Sequence, residues 1–145
     1  MGRPRPLIVP AASSPAVAAV MKANKKRDTG PERAVRKLLH TLGYRYRLHA
    51  PDLPGSPDIV FRSRRKVIFV HGCFWHQHRD SRCTLQSHPK TNIHYWKPKL
   101  LKNCARDRAN ERAITQMGWQ SLTVWECEVK DSYALQKRLA NFLAK

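Results

Sequence analysis

The chain has 145 residues, enough for one domain with a real core and too few for two. Lys and Arg outnumber Asp and Glu by 28 to 10, a formal charge of +18. An excess of that size strains a compact monomer unless an anionic partner offsets it, so a polyanion such as nucleic acid is the expected ligand. No apolar run approaches the roughly 20 residues that a membrane span needs.

Residues 1–20 are Ala- and Pro-rich, with Arg3 and Arg5 at the start and Pro10 and Pro15 breaking the apolar segment. They read as a disordered basic tail rather than a secretory signal. A single folded domain is expected over residues 21–145. "TGPE" is a helix start of the T-x-x-E kind: Thr29 caps and Glu32 answers it three residues on. Ala34, Val35, Leu38, Leu39 and Leu42 follow at helical spacing, and Gly43 ends the helix. "YRYRLH" alternates, with Tyr44, Tyr46 and Leu48 on one face and Arg45, Arg47 and His49 on the other. That pattern predicts a half-buried strand.

"PDLPGSP" is turn-rich. "DIVF" and "KVIFVH" are short apolar strands joined through "RSRR" as a hairpin. Residues 79–93 lack periodicity and read as loop. From about residue 97 to 117 the pattern is helical, with Leu100, Leu101, Cys104, Ile114 and Met117 apolar and a polar, exposed middle, "RDRANER". "QSLTVWECEV" is a strand. "DSYALQKRLANFLA" is a closing helix with Leu135, Leu139, Phe142 and Leu143 inward. The order is α-β-β-β-α-β-α, and one mixed sheet flanked by helices buries those faces most simply.

Chemistry concentrates in "VIFVHGCFWHQHRDSRC". Cys73, His78 and Cys83 are spaced C-x4-H-x4-C, and Cys127 lies at the expected end of a later strand. Three thiolates and an imidazole suit a closed tetrahedral zinc site. His76 is an alternative imidazole, and Cys104 an alternative fourth ligand, although its place on an apolar stripe favours a core role. In a reducing cytosol, where this chain is expected, cysteines hold metal more often than they form disulfides. Asp58 offers a hard oxygen at the start of "DIVF", suited to magnesium; a turn aspartate bonded to local N–H groups is the plainer reading. His71 and His76 could act as base and acid. Phe74 and Trp75 in a polar loop cannot both enter one core, and Tyr95–Trp96 lies beside lysines. Such aromatics either pack or wedge between bases.

These motifs taken together, "RDTGPE", "LPGSPDIVF", "VIFVHGCFWH", "YWKPKLLKN" and "GW…VWEC", resemble the very-short-patch mismatch endonucleases, the Vsr family, over residues 21–129. The resemblance implies an α/β fold of the restriction-endonuclease-like class. It also implies magnesium-dependent nicking of DNA 5′ of the thymine in a T·G mismatch, the lesion left by deaminated 5-methylcytosine. By that resemblance Asp58 binds magnesium with the backbone carbonyl of Val70, His76 activates water, His71 assists the leaving side, and Glu32 acts near the metal's waters. Cys73, His78, Cys83 and Cys127 match the structural zinc set. Phe74, Trp75 and Trp96 match the intercalating aromatics, while Lys97, Lys99 and Lys102 are expected on phosphates. The expected protein is a monomer acting on double-stranded DNA in the cytoplasm, at the nucleoid, with mismatch-repair proteins as possible further partners. One departure from the wider nuclease class stands out: the strand "KVIFVHG" has neither the acidic residue nor the lysine of E-x-K. Histidines would replace that lysine.

Overall fold

The computed structural model describes residues 28–78, 83 and 91–144. The tail assigned to residues 1–20 and most of the expected loop 79–93 lie outside them. Helix α1 (Gly30–Thr41) starts as its sequence dictates: the Thr29 hydroxyl accepts the Glu32 N–H at 3.3 Å. The Glu32 carboxylate accepts from the Asp28 N–H at 3.1 Å, one residue beyond the cap, instead of closing the box on Thr29. Val35 and Leu39 are fully buried, with Leu38 and Leu42 packed partly behind them. Gly43 turns the chain at φ +82°, which glycine adopts without a Cβ penalty.

The strand expected over "YRYRLH" shrinks to β1 (Arg47–Leu48). Tyr44 and Tyr46 do pack edge-on against Phe61, at 6.4 and 6.3 Å. Beyond them the alternation slips. His49 takes φ +50° and turns toward Arg36, leaving Leu48 exposed.

Strands β2 (Ile59–Phe61) and β3 (Lys66–His71) form the expected antiparallel hairpin, Val60 opposite Val67. A 3-10 turn over Arg62–Arg64 and a left-handed Arg65 join them. Helix α2 (Ile93–Gln116) crosses over to β4 (Gln120–Trp125), which lies parallel to β3. The sheet order is β1-β2-β3-β4. Strand β4 ends at Trp125, and a 3-10 turn, Glu126–Lys130, carries Cys127, which therefore sits in a turn and not on a strand. Helix α3 (Ser132–Ala144) closes the chain with Leu135, Leu139 and Leu143 buried.

The apolar strands read as near-continuous hydrophobic runs because both faces are covered. Ile59, Phe61, Ile68 and Val124 meet Val35 and Leu39 of α1 and the leucines of α3. Val60, Val67 and Phe69 pack on the other face with Ile114 of α2. Leu101 and Met117, expected inward, are exposed, so the apolar stripe of α2 is narrower than its sequence suggests. Lys66 is buried beneath α3. Its Nζ donates to the Phe142 carbonyl at 2.6 Å and Arg64 donates to Leu143 at 3.0 Å, which satisfies carbonyls at that helix's C-terminus. Among the described residues no helix is long and apolar enough to cross a membrane.

Candidate active site and metal centre

The start of β2 and the ends of β3 and β4 share one edge of the sheet, and there a cleft of about 850 Å³ opens. Its floor carries Asp58, Val70 and His71; the N-terminus of α1 brings Glu32; the loop after β3 brings Phe74, Trp75 and His76. The polar middle of α2, expected to face solvent, forms the remaining wall through Lys99, Asn103, Arg106, Asp107, Asn110 and Glu111. Five of the chain's ten carboxylates line this one cleft of a strongly basic protein: Glu32, Asp58, Asp107, Glu111 and Glu126. Carboxylates so placed could hold a cation.

Asp58 Oδ2 accepts the Val70 N–H at 2.7 Å. Burial pushes its carboxyl up to about 7; Glu32 adds to the rise, while the Val70 N–H and Arg36 oppose it. Glu32 is itself buried and held by Arg36 at 3.0 Å. The Arg36 guanidinium also pairs with Asp28 at 2.8 Å and donates to His49 Nε2 at 3.3 Å. A loop holds Asp58 against α2. Gly55, at φ +77°, lies so close to Asn110 that a Cβ there would sit 2.8 Å from the Asn110 side-chain nitrogen.

His71 and His76 stack face to face, 3.8 Å between centroids and 6° from parallel. Burial, with His76 second, pulls His71 down to about 4, so its ring is neutral at neutral pH. His76 Nδ1 lies 2.6 Å from Asp107 Oδ2. A carboxylate only accepts, so the proton sits on Nδ1 and Nε2 is left as the basic nitrogen. Two more side chains of α2 grip the same loop: Asn103 Nδ2 donates to the Trp75 carbonyl at 3.1 Å, and Cys104 Sγ donates to the His76 carbonyl at 3.5 Å. Cys104 is thus a clasp and stands apart from the other thiols.

Those other thiols converge. Cys73, His78, Cys83 and Cys127 place one donor atom each within 4.8 Å of one another. His78 Nδ1 is 3.4 Å from Cys127 Sγ and 3.7 Å from Cys73 Sγ, and its ring stacks on Trp125 at 4.2 Å. Zinc–sulfur bonds of about 2.3 Å set tetrahedral sulfur–sulfur edges near about 3.8 Å. The donor set fits that ion in number, softness and spacing. Burial raises the Cys73 and Cys127 thiols, a penalty that a bound cation relieves. No disulfide joins any of the cysteines. Of the two imidazoles that the sequence left open, His78 joins the thiols and His76 the carboxylate.

Phe74, Trp75, Trp96 and Tyr95 form one edge-on cluster with centroids 4.9 to 5.7 Å apart. Trp96, expected to intercalate, is 4 % exposed. It backs the cluster because the first turns of α2 pack it inward, while half-buried Phe74 and Trp75 reach the cleft. Lys99 Nζ lies 5.4 Å from the Trp75 and Tyr95 rings. Lys97 and Lys102 are exposed and do not line the cleft. Arg106 does, as do Asp107, Asn103 and Asn110, none of which the sequence reading singled out. The usable signal was positional: residues 99, 103, 106 and 110 recur every three or four along one helix face.

A four-strand mixed sheet with helices on both faces is a restriction-endonuclease-like fold. The description "DNA mismatch endonuclease Vsr" matches residues 14–82, a span that reaches into the stretch assigned to the tail. The chain is 52 % identical to "Type II nicking enzyme V.XorIIP" of Xanthomonas oryzae pv. oryzae, over 86 % of this chain and 89 % of that protein. It is 41 % identical to "DNA mismatch endonuclease Vsr" of Escherichia coli, over 76 % and 69 % of the two chains. It is 40 % identical to "Type II nicking enzyme V.NmeAIP" of Neisseria meningitidis, over 83 % and 84 %. The chain belongs to the Vsr family and is a DNA endonuclease.

Proposed function

We propose that this endonuclease nicks one strand of duplex DNA 5′ of the thymine in a T·G mismatch. Magnesium would be held by Asp58 and the Val70 carbonyl, and zinc by Cys73, His78, Cys83 and Cys127. The observation that carries the reading is the convergence of Asp58, Glu32, His71 and His76 on one cleft whose lip is Phe74–Trp75. Bound magnesium supplies Lewis-acid polarisation of the phosphate and offsets charge on the departing 3′ oxygen. His76 Nε2 takes the proton of the attacking water, since Nδ1 is committed to Asp107. His71, stacked behind it, presents an N–H on the leaving side. Glu32, fixed by Arg36, orients water beside Asp58. The sulfur-held centre ties the loop 73–83 to the turn at Cys127 and keeps His76 and the aromatic lip in place.

Selectivity comes from unstacking. A mispaired step opens at lower cost than a paired one, so a wedge of Phe74 and Trp75, backed by Trp96, enters it preferentially. Lys97, Lys99 and Lys102 bind phosphates and set affinity. One chain carries every group the reaction needs, so a monomer suffices, working on nucleoid DNA in the cytoplasm. The domain would span residues 21–145 behind a basic tail.

The test is a strand-specific nicking assay on a labelled T·G duplex and its matched T·A counterpart, with and without magnesium. Magnesium-dependent cleavage of the T·G strand alone is expected. Equal cleavage of both duplexes would favour a second reading, a sequence-specific nickase, for which the nicking-enzyme name of the 52 % identical relative speaks. No cleavage of either duplex would overturn both.

A further inference from the structure

The end of the sheet opposite the cleft carries a groove of its own. Strand β1 pairs with β2 only at Arg47 and Leu48, opposite Val60 and Ile59. Residues 44–46 part from the end of β2 and leave a groove of about 560 Å³ between the two segments. Its lining includes His40, Arg45, Arg47 and Arg62 and no carboxylate. Arg64 and Arg65, next in the chain, are exposed as well. Half of the chain's ten carboxylates line the cleft, so the two ends of the sheet are opposite in character. Among the described residues the one carboxylate that pairs with a groove arginine is Asp52, 2.9 Å from Arg62. Both partners of that pair are more than half exposed, so solvent screens it and a phosphate can take its place.

We infer that this groove holds the phosphate backbone of a second segment of duplex DNA while a first segment occupies the cleft. Guanidinium groups without a fixed partner present planar forks that fit phosphate oxygens. The groove offers little else. Protein partners are anchored by apolar or aromatic side chains that enter pockets. Here the Tyr44 and Tyr46 rings already pack edge-on against Phe61, and the Arg64 guanidinium lies 5.2 Å over the Tyr44 ring. Val60 and Phe61 are buried beneath them. Charge with no free anchor suits a DNA backbone, which is held without reading bases.

Position separates this surface from the cleft. Asp58 precedes β2 and His71 ends β3, whereas Arg62 follows β2 and Arg65 precedes β3. The six residues of β3 hold the two ends about 17 Å apart, at roughly 3.4 Å per step. DNA seated in the cleft would have to bend back along the sheet to touch both, at an elastic cost. A second segment meets the groove without that cost. Holding it has a use for any DNA endonuclease, whatever the target. A chain bound to two segments can pass from one to the other without first escaping into solution, which adds to sliding and hopping as ways to search.

The experiment titrates a short, labelled, matched duplex into the full-length protein at low salt, in magnesium-free buffer. Two duplexes should bind each chain. The triple variant Arg45→Gln, Arg47→Gln, Arg62→Gln should weaken the second by at least about tenfold and spare the first, since three phosphate contacts are lost. Labelled duplex should also leave the wild type faster as unlabelled duplex is added, and the variant should lose that dependence. Urea midpoints show whether the variant is folded; if it is not, Arg45→Gln and Arg47→Gln taken singly should each weaken the second duplex. One duplex per wild-type chain overturns the proposal. So does a second duplex that the substitutions leave unchanged. A variant that loses affinity for a single duplex, with no second one bound, would mean that one DNA molecule wraps both ends, and that too overturns it. Polyglutamate that binds the groove more tightly than duplex DNA would assign the surface to an acidic protein instead.

Discussion

The sulfur-held cluster and the acidic cleft share a loop but are built on opposite plans. Cys73, His78 and Cys83 fall within eleven consecutive residues, and only Cys127 comes from afar. The cleft draws Glu32 from α1, Asp58 from the start of β2, His71 from β3 and Asp107 from α2. A local set of soft ligands is organised by the ion it binds. A dispersed set is organised by the fold. Damage should therefore travel one way, from the sulfur centre into the cleft and not back.

The harshest way to break that asymmetry is to remove the sulfur centre. Cys127→Ala, or stripping zinc with a strong chelator, should cost several kcal/mol of stability and abolish nicking as well. The remaining donors, two of them buried and His78 half-buried, would lose the ion that holds them together, and the loop carrying His76 would lose its anchor. Denaturant melts and a nicking assay on the same samples check this. In the stripped wild type, zinc should restore both properties and magnesium neither.

Asp58→Asn tests the reverse direction. Nicking should fall by at least about a hundredfold, as for the loss of other preorganised electrostatic groups. Zinc content and mismatch-duplex affinity should hold. A variant that also lost its zinc would show that the two regions are one cooperative unit.

The same contrast explains what could be read in advance. The sulfur set was partly legible because ligand spacing survives in one dimension; the choices between His76 and His78 and between Cys127 and Cys104 needed coordinates. Asp58 was legible by its place after "GSP" and by family resemblance. Asp107 was not, since "RDRANER" has the composition of any solvated helix face, and only the packing of α2 over the sheet edge turns that face inward. The slip at His49 was equally hidden. A histidine at φ +50° carries no mark in a pattern of alternating polarity. The placement of Trp96 was hidden for the opposite reason: lysines flank it, yet the helix turns it inward.

A smaller effect separates two groups within the cleft. Asp58 is raised from 3.8 to about 7. Between those values the folded state holds a proton that the unfolded chain has released, so this group's contribution to stability declines as pH rises through that window. His71 is lowered from 6.5 to about 4. There the unfolded chain takes a proton that the folded state refuses, so its contribution declines as pH falls. Glu32 and Arg36 face the carboxyl, and His76 and Asp107 face the imidazole. The two slopes oppose each other between about pH 4 and 6.5, each at most about 1.4 kcal/mol per pH unit. In magnesium-free buffer the wild-type profile should be nearly flat there. Asp58→Asn should gain stability as pH rises, and His71→Gln should lose it. Urea midpoints taken across that range decide the matter; parallel profiles for all three proteins would contradict it.

The gentlest probe is Gly55→Ala, which disturbs the carboxylate side alone. At φ +77° an alanine meets the left-handed penalty of about 1–2 kcal/mol. Its Cβ also presses on the Asn110 amide, whose nitrogen and Cγ lie 2.8 and 2.9 Å away. Pairing it with Asn110→Ala in a double-mutant cycle separates the two costs. If strain dominates, the stability loss persists in the Asn110→Ala background; if the clash dominates, much of it disappears. In either case the loop before Asp58 shifts against α2, so nicking should weaken while zinc content stays whole. Loss of zinc from Gly55→Ala would mean that the loop over α2 supports the sulfur centre too, and one-way dependence would no longer describe this fold.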